Sequence, residues 1–261
     1  MFVFMEENGI GVSNLPNQRY RGVFKKQINY NIMILGSKGL GKTQFLNNVF
    51  SLNIPYDHKN IVRHSFIIKE NHYKMKLSIL EVDSINDSTD NTDTVLPIAA
   101  YIKEELEKFK EIKEEKKEDN RIHAVIYFFE PLKNDIKETD LVMMKTLSKY
   151  SNFIPVVAKS DLLSVDIPTY KSFLLQRLEE ERINLYSSVY FLINGNKIEN
   201  DFVRIYNWGV LCVNNISFNE FNELKKLLLT RNLVDLVHKV EYFFVAYQTE
   251  NILKKIGSEI K

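Results

Sequence analysis

Eight consecutive residues, Gly36-Ser37-Lys38-Gly39-Leu40-Gly41-Lys42-Thr43, match the pattern G-x4-G-K-[ST]. That pattern suits one task, the cradling of a phosphate chain. Gly39 and Gly41 let backbone N–H groups curl inward around phosphate oxygens, where a Cβ would collide. Lys42 reaches the β- and γ-phosphates, and the Thr43 hydroxyl can ligate Mg²⁺. A helix opening at Gln44 adds the partial positive charge of its N-terminus. The context is right as well: the apolar run Ile32 to Leu35 precedes the loop, and helix signals from Gln44 to Phe50 follow it.

Two further positions extend the site. A phosphate-bound Mg²⁺ wants a carboxylate at the end of a neighbouring strand, held through water, and Asp83 follows the strand pattern Leu77 to Val82. Asp161, in Lys159-Ser160-Asp161, follows the apolar segment Phe153 to Ala158. A carboxylate there accepts two N–H bonds from guanine, a donor pair that adenine lacks, and the Lys159 stem can lie over the flat base. The predicted ligands are therefore GTP or GDP with Mg²⁺.

The elements that must position these residues alternate. Strand signals at Ile32–Leu35, Met75–Val82, Ile122–Phe129, Phe153–Ala158 and Val189–Ile193 are separated by helix signals. The helices are expected at Gln44–Phe50, around Ile102, Leu106, Phe109 and Ile112, at Asp140–Ser148 and at Tyr170–Arg182. Such alternation predicts an α/β fold with a mostly parallel sheet flanked by helices. After Ile193 the rhythm changes to two short strands around Gly209 and two helices, Phe218–Thr230 and Leu233–Leu253, with no heptad pattern beyond them.

Composition excludes several classes. The chain has 261 residues, 44% hydrophobic and 26% charged, the usage of an ordinary globular protein. No apolar run reaches the ~18 residues that a membrane span needs, and the start is too quickly acidic for a secretory signal. One cysteine, Cys212, forbids an internal disulfide and fits a reducing compartment. A net charge of +1 gives no reason to expect nucleic acid as a partner. The charge is nonetheless uneven: no acidic residue occurs from Asn8 to Tyr56, a stretch that includes Arg19, Arg21, Lys25 and Lys26.

Several segments together resemble the septins, a family of filament-forming GTP-binding proteins. These are Asn14-Leu15-Pro16-Asn17-Gln18 with the basic segment after it, the loop Gly39 to Thr43, and Arg121-Ile122-His123 opening a strand. Ile154 to Asp161 is similar to the family's IPVIAKAD, and Arg204-Ile205-Tyr206-Asn207-Trp208-Gly209 to R-x-Y-P-W-G. The stretch Gly11 to Tyr20 looks most like a fungal subgroup.

The resemblance implies a Ras-like P-loop GTPase domain with a septin unique element. It divides the chain into a basic N-terminal segment (1–28), a G domain (29–200) and the unique element (201–261). It implies nucleotide contacts from Gly36 to Gln44, and from Asp83, Lys159, Asp161, Gly195 and Arg204, with Thr43 and Asp83 at the metal. It implies assembly with other septin subunits into hetero-oligomeric filaments, and a place in the cytoskeleton, at the cell cortex and the septin ring of the division site, in cytokinesis. Arg19, Arg21, Lys25 and Lys26 would either face phosphoinositide membrane or pack, with solvated charges, into the polymer interface.

Departures from the family pattern fall on hydrolysis. Asp83-Ser84-Ile85-Asn86 stands where septins read D-T-P-G, so Asn86 replaces the γ-phosphate-sensing glycine. No Thr occurs between Gln44 and Ser88 to act as the switch residue, Ser65 being the nearest substitute. The G-H-G-L-K loop has become Lys133-Asn134-Asp135-Ile136-Lys137, and V-G-S has become Ile193-Asn194-Gly195. Phosphate and base recognition survive, so the expectation is a nucleotide-binding scaffold that hydrolyses slowly or not at all. The alternatives are a monomeric switch GTPase and a structural pseudo-GTPase that binds no nucleotide.

Overall fold

A computed structural model describes residues 28–55, 61–70, 73–82, 92–111, 119–132, 135–163, 166–198, 201–213, 216 and 219–259. The basic segment with Arg19, Arg21, Lys25 and Lys26, the Asp83 to Asn86 motif, and Lys133 and Asn134 lie outside these residues.

Six strands form the main sheet in the order β2-β3-β1-β4-β5-β6. They are β1 (Ile28–Gly36), β2 (Ile61–Glu70), β3 (Tyr73–Val82), β4 (Ala124–Phe129), β5 (Asn152–Val157) and β6 (Tyr190–Phe191). All neighbours are parallel except β2, which pairs antiparallel with β3 at the edge. The parallel strands are apolar almost throughout because both faces are covered.

Alternation along each strand feeds two cores. Met33, Leu35, Leu80, Val125, Tyr127 and Phe153 face α2 (Thr92–Glu111), α3 (Glu138–Leu147) and α4 (Ile167–Glu180). Ile32, Ile34, Ile79, Ile126, Phe128 and Ile154 face α1 (Lys42–Phe50) and the C-terminal helices α5 (Phe221–Lys226) and α6 (Leu233–Glu259).

The expected α/β fold with a mostly parallel sheet is what the chain adopts, with several differences in detail. The antiparallel strand β2 carries Ser65, which pairs with Ser78 within the sheet. The expected strand Val189–Ile193 is ladder-paired only at Tyr190 and Phe191. The helix expected around Ile102 starts ten residues earlier, at Thr92. A second sheet of three antiparallel strands joins β7 (Asn196–Ile198), β8 (Asp201–Tyr206) and β9 (Gly209–Cys212). The expected helix Phe218–Thr230 is α5 followed by a π-helical turn, Leu227–Arg231.

The order of the main sheet places a switch point at β1. Chain order runs to β3 on one side and to β4, β5 and β6 on the other. A crevice opens at the carboxyl ends of strands at such a point, and the glycine loop leaves β1 into it.

Candidate functional site

The loop between β1 and α1 is shaped by three glycines with positive φ, Gly36, Gly39 and Gly41. A Cβ on Gly36 (φ +144°) would stand 2.3 Å from the Phe128 carbonyl oxygen, so β1 and β4 approach too closely there for any side chain. Gly41 (φ +81°) is the N-cap of α1, and its Cβ would stand 2.7 Å from Asn194 Nδ2. That amide donates instead to the Gly41 carbonyl at 3.0 Å. Gly39 has open space where a Cβ would be, so the loop's crest faces an accessible cleft.

Lys42 is buried and folds back over the loop. Its Nζ donates to the Gly36 and Ser37 carbonyls at 2.8 and 2.7 Å. The Thr43 hydroxyl donates to Glu81 Oε1 at 2.6 Å. Lys42, Thr43, Gln44, Asn47 and Glu81 line a cavity of about 540 Å³. A second cavity, about 280 Å³, is lined by Lys159, Asn194, Val203 and Arg204. Both include Gly39, Gly41, Gln44 and Asn196, so they form one cleft that runs over the loop. Ser37 and Lys38 are at the loop's surface, while Leu40 is buried in the α1 core.

At the far end of the cleft lies the Lys159–Asp161 turn. Lys159 has φ +52° and opens a 3-10 turn, Ser160–Leu162. Ser160 ties this turn to the β6 side, its N–H and Oγ both donating to the Leu192 carbonyl at 3.1 and 3.0 Å. Lys159 and Lys137 share Glu130, at 4.0 and 3.6 Å.

Asp161 is engaged by β8. Arg204 Nη1 donates to its Oδ1 at 3.2 Å and the Tyr206 hydroxyl to its Oδ2 at 2.8 Å. Burial and the Asp161 carboxylate push the Tyr206 phenol up to about 12. Tyr206 in turn stacks on Trp208, with ring centroids 4.8 Å apart. Ile205, Trp208 and Val210 are 65, 74 and 67% exposed, an apolar surface at the mouth of the cleft.

The structure thus brings the loop, Gln44, Lys159 and Arg204 into one cleft, with Asp161 behind Arg204. Gly195 is buried against Val203 and Val213, and the neighbouring Asn194 and Asn196 line the cleft instead. Asn196 accepts from Gln44 Nε2 at 2.7 Å, and the Gly195 carbonyl accepts from Asn48 Nδ2 at 3.0 Å. Asp83 lies outside the described residues, and Ser65 does not line the cleft. Sequence reasoning missed Glu81 and Asn196, and within Ile193-Asn194-Gly195 it named Gly195 where Asn194 lines the cleft. Glu81 carried a signal, a charge inside an apolar strand.

At the opposite ends of the strands, Arg121 clips the last helix to the sheet. Its guanidinium carbon lies 3.6 Å from the Phe109 ring centroid and 5.5 Å from that of Phe244. It pairs with Asp119 at 2.8 Å and Glu241 of α6 at 2.7 Å. His123 Nδ1 accepts from the Asn31 N–H at 2.9 Å, and its Nε2 stands 3.6 Å from Asp119 Oδ2. Asn152 Nδ2 donates to the Leu236 carbonyl at 2.9 Å. Helix α6 exposes Tyr242, Val245, Ile252, Leu253 and Ile256, away from its buried Leu236, Val240 and Phe243.

The strand–loop–helix site on this sheet defines an α/β domain of the P-loop GTPase type. A sequence model of the family described as Septin matches residues 26–201. The chain is 31% identical to Cell division control protein 3 of Encephalitozoon cuniculi, over 98% of this chain and 84% of that one. It is 26% identical to Cell division control protein 12 of Saccharomyces cerevisiae, over 96% of this chain and 74% of that one. Its fold superposes on the Septin GTPase domain from Chlamydomonas reinhardtii with a TM-score of 0.72 at 17% identity, covering 86% of this chain and 99% of that one. The chain belongs to the septin family.

Proposed function

We propose that this septin is a guanine-nucleotide-binding subunit of a filament, a cytoskeletal scaffold at the division site whose GTP hydrolysis is slow or absent. One observation carries the reading: strand β8 serves both the cleft and an exposed apolar surface. Its Arg204 and Tyr206 hold Asp161, and Tyr206 stacks on Trp208 at the surface. A ligand in the cleft can therefore order the exposed surface through a single strand, as an assembly scaffold requires.

The cleft suits the ligand. An open loop crest at Gly39, the α1 N-terminus and the Lys42 ammonium present positive charge to phosphates. Mg²⁺ would sit at the Thr43 hydroxyl, with Asp83 as the expected water-held carboxylate, and would neutralise phosphate charge. Hydrolysis needs a placed water and a γ-phosphate sensor, and the sequence lacks both the switch threonine and the glycine that Asn86 replaces.

The test is to denature freshly purified protein and identify the released nucleotide by chromatography. Stoichiometric GTP is the expected result, and stoichiometric GDP would leave the scaffold reading standing but overturn the absence of turnover. No nucleotide, with none taken up from GTP and Mg²⁺, would overturn the reading.

A further inference from the structure

Glu81 breaks the pattern of its strand. Among the described buried residues of β3, which are Leu77, Ile79, Leu80, Glu81 and Val82, it alone is charged. Strand alternation sends Ile79 and Glu81 to the α1 side of the sheet, and pairing with Ile34 sets Glu81 beside the last turn of β1 before the loop. An apolar side chain would fill that place well. Instead, a carboxylate only 7% exposed stands at the wall of the phosphate cavity, with Lys42 and Thr43 as neighbours in the lining.

Its contact with Thr43 has a chemical consequence. A hydroxyl has one hydrogen and two lone pairs. Thr43 gives its hydrogen to Glu81 Oε1 at 2.6 Å, so its lone pairs turn away from the carboxylate. A hydroxyl ligates a cation only through a lone pair. The contact therefore holds Thr43 in the orientation of a ligand and makes its oxygen more basic, as a carboxylate behind a metal ligand does. The same negative charge repels phosphate oxygens unless a cation lies between them.

We propose that Glu81 is a carboxylate of the divalent-cation site: it holds Thr43 as a ligand and makes nucleotide binding conditional on the cation. The inference rests on the guanine-nucleotide reading above. Coupling is reciprocal, so nucleotide tightens cation binding by the same factor that the cation tightens nucleotide binding.

The experiment compares the affinity of the full chain for a fluorescent GDP analogue in Mg²⁺ and in EDTA. Glu81→Gln keeps an oxygen that can accept from Thr43 but removes the charge. Its Mg²⁺ enhancement should fall about 10- to 100-fold below that of the wild type, the usual effect of losing a partner behind a metal ligand. Its affinity in EDTA should be equal or higher, which also shows that the cleft is folded. Electron paramagnetic resonance of Mn²⁺ added to the GDP complex should show a matching loss of cation affinity. Glu81→Val, which restores the apolar pattern of the strand, carries the same expectation if the Gln variant is unstable. An undiminished Mg²⁺ enhancement in these variants, with GDP still bound, would overturn the role of Glu81 alone. Failure of the wild type to bind GDP in either buffer would overturn the nucleotide reading, and this inference with it.

Discussion

The guanine reading proposed above would give Asp161 two tasks in conflict. Recognition of guanine requires both of its oxygens to accept from the base, yet Arg204 and Tyr206 already donate to them. The base must displace at least one partner or arrive beside them. Tyr206 is the partner whose removal costs least, because its phenol can turn to water while Arg204 carries a charge. Tyr206→Phe should raise GDP affinity about 5-fold, the worth of one hydrogen bond no longer broken on binding (about 1 kcal/mol). Asp161→Asn should abolish the preference for GDP over ADP. Calorimetry with both nucleotides reads the two effects, and unchanged GDP affinity in Tyr206→Phe would mean that Tyr206 keeps Asp161 when the base is bound.

At the scale of elements, the contact that matters most outside the cleft is the clip between α2, the entry to β4 and α6. Arg121 is buried against two aromatic rings, and its removal would strand the Asp119 carboxylate. Breaking one partner of such a pair costs about 3–5 kcal/mol. Arg121→Ala should lower the melting temperature on the order of 10 °C, since each kcal/mol is worth a few degrees in a chain of this size. The clip also gives stability a pH dependence. Burial pushes the Asp119 carboxyl up, but His123 and the Arg121 guanidinium more than offset this and hold it well below its ordinary 3.8. A depressed carboxylate contributes stability above its ordinary value and loses that contribution as the pH falls toward the folded one. Thermal melts below about pH 4 should therefore drop more steeply in the wild type than in Asp119→Asn. Parallel melting curves would show that the pair contributes nothing.

What could be seen in advance follows from the range of the signal. The loop was legible because eight adjacent residues carry it. The parallel strands β1, β4 and β5 were legible as short apolar runs bounded by polar residues. Strand β2 was not, because Ile61 to Lys69 alternates exposed and half-buried positions at a sheet edge, and none of these residues is fully buried. Asp161 and Arg204 were both expected at the nucleotide, but their direct contact spans 43 positions and depends on how β8 folds over the cleft. The same holds for Thr43 with Glu81, which the β1–β3 register brings together.

At the scale of the whole molecule, two apolar surfaces among the described residues differ in place. Ile205, Trp208 and Val210 flank the cleft at the carboxyl ends of the strands. The exposed stripe of α6 belongs to the helix that Arg121 and Asn152 hold at their amino ends. A surface that met its own copy would close a two-fold dimer, whereas two unlike surfaces joined head to tail leave both ends of any oligomer open. Trp208 is the natural anchor of the first surface, being an exposed aromatic supported from behind by Tyr206. Its loss from an interface centre costs about 2 kcal/mol or more, roughly 30-fold in association. Ile252→Glu places a charge on the second surface alone. Under the filament reading proposed above, sedimentation velocity of the protein mixed with other septins should then show two distinct arrests. Trp208→Ala and Ile252→Glu each leave one joint intact and stop growth at short species, while the double variant sediments as a monomer. If the double variant still grows into long polymers, assembly uses other surfaces.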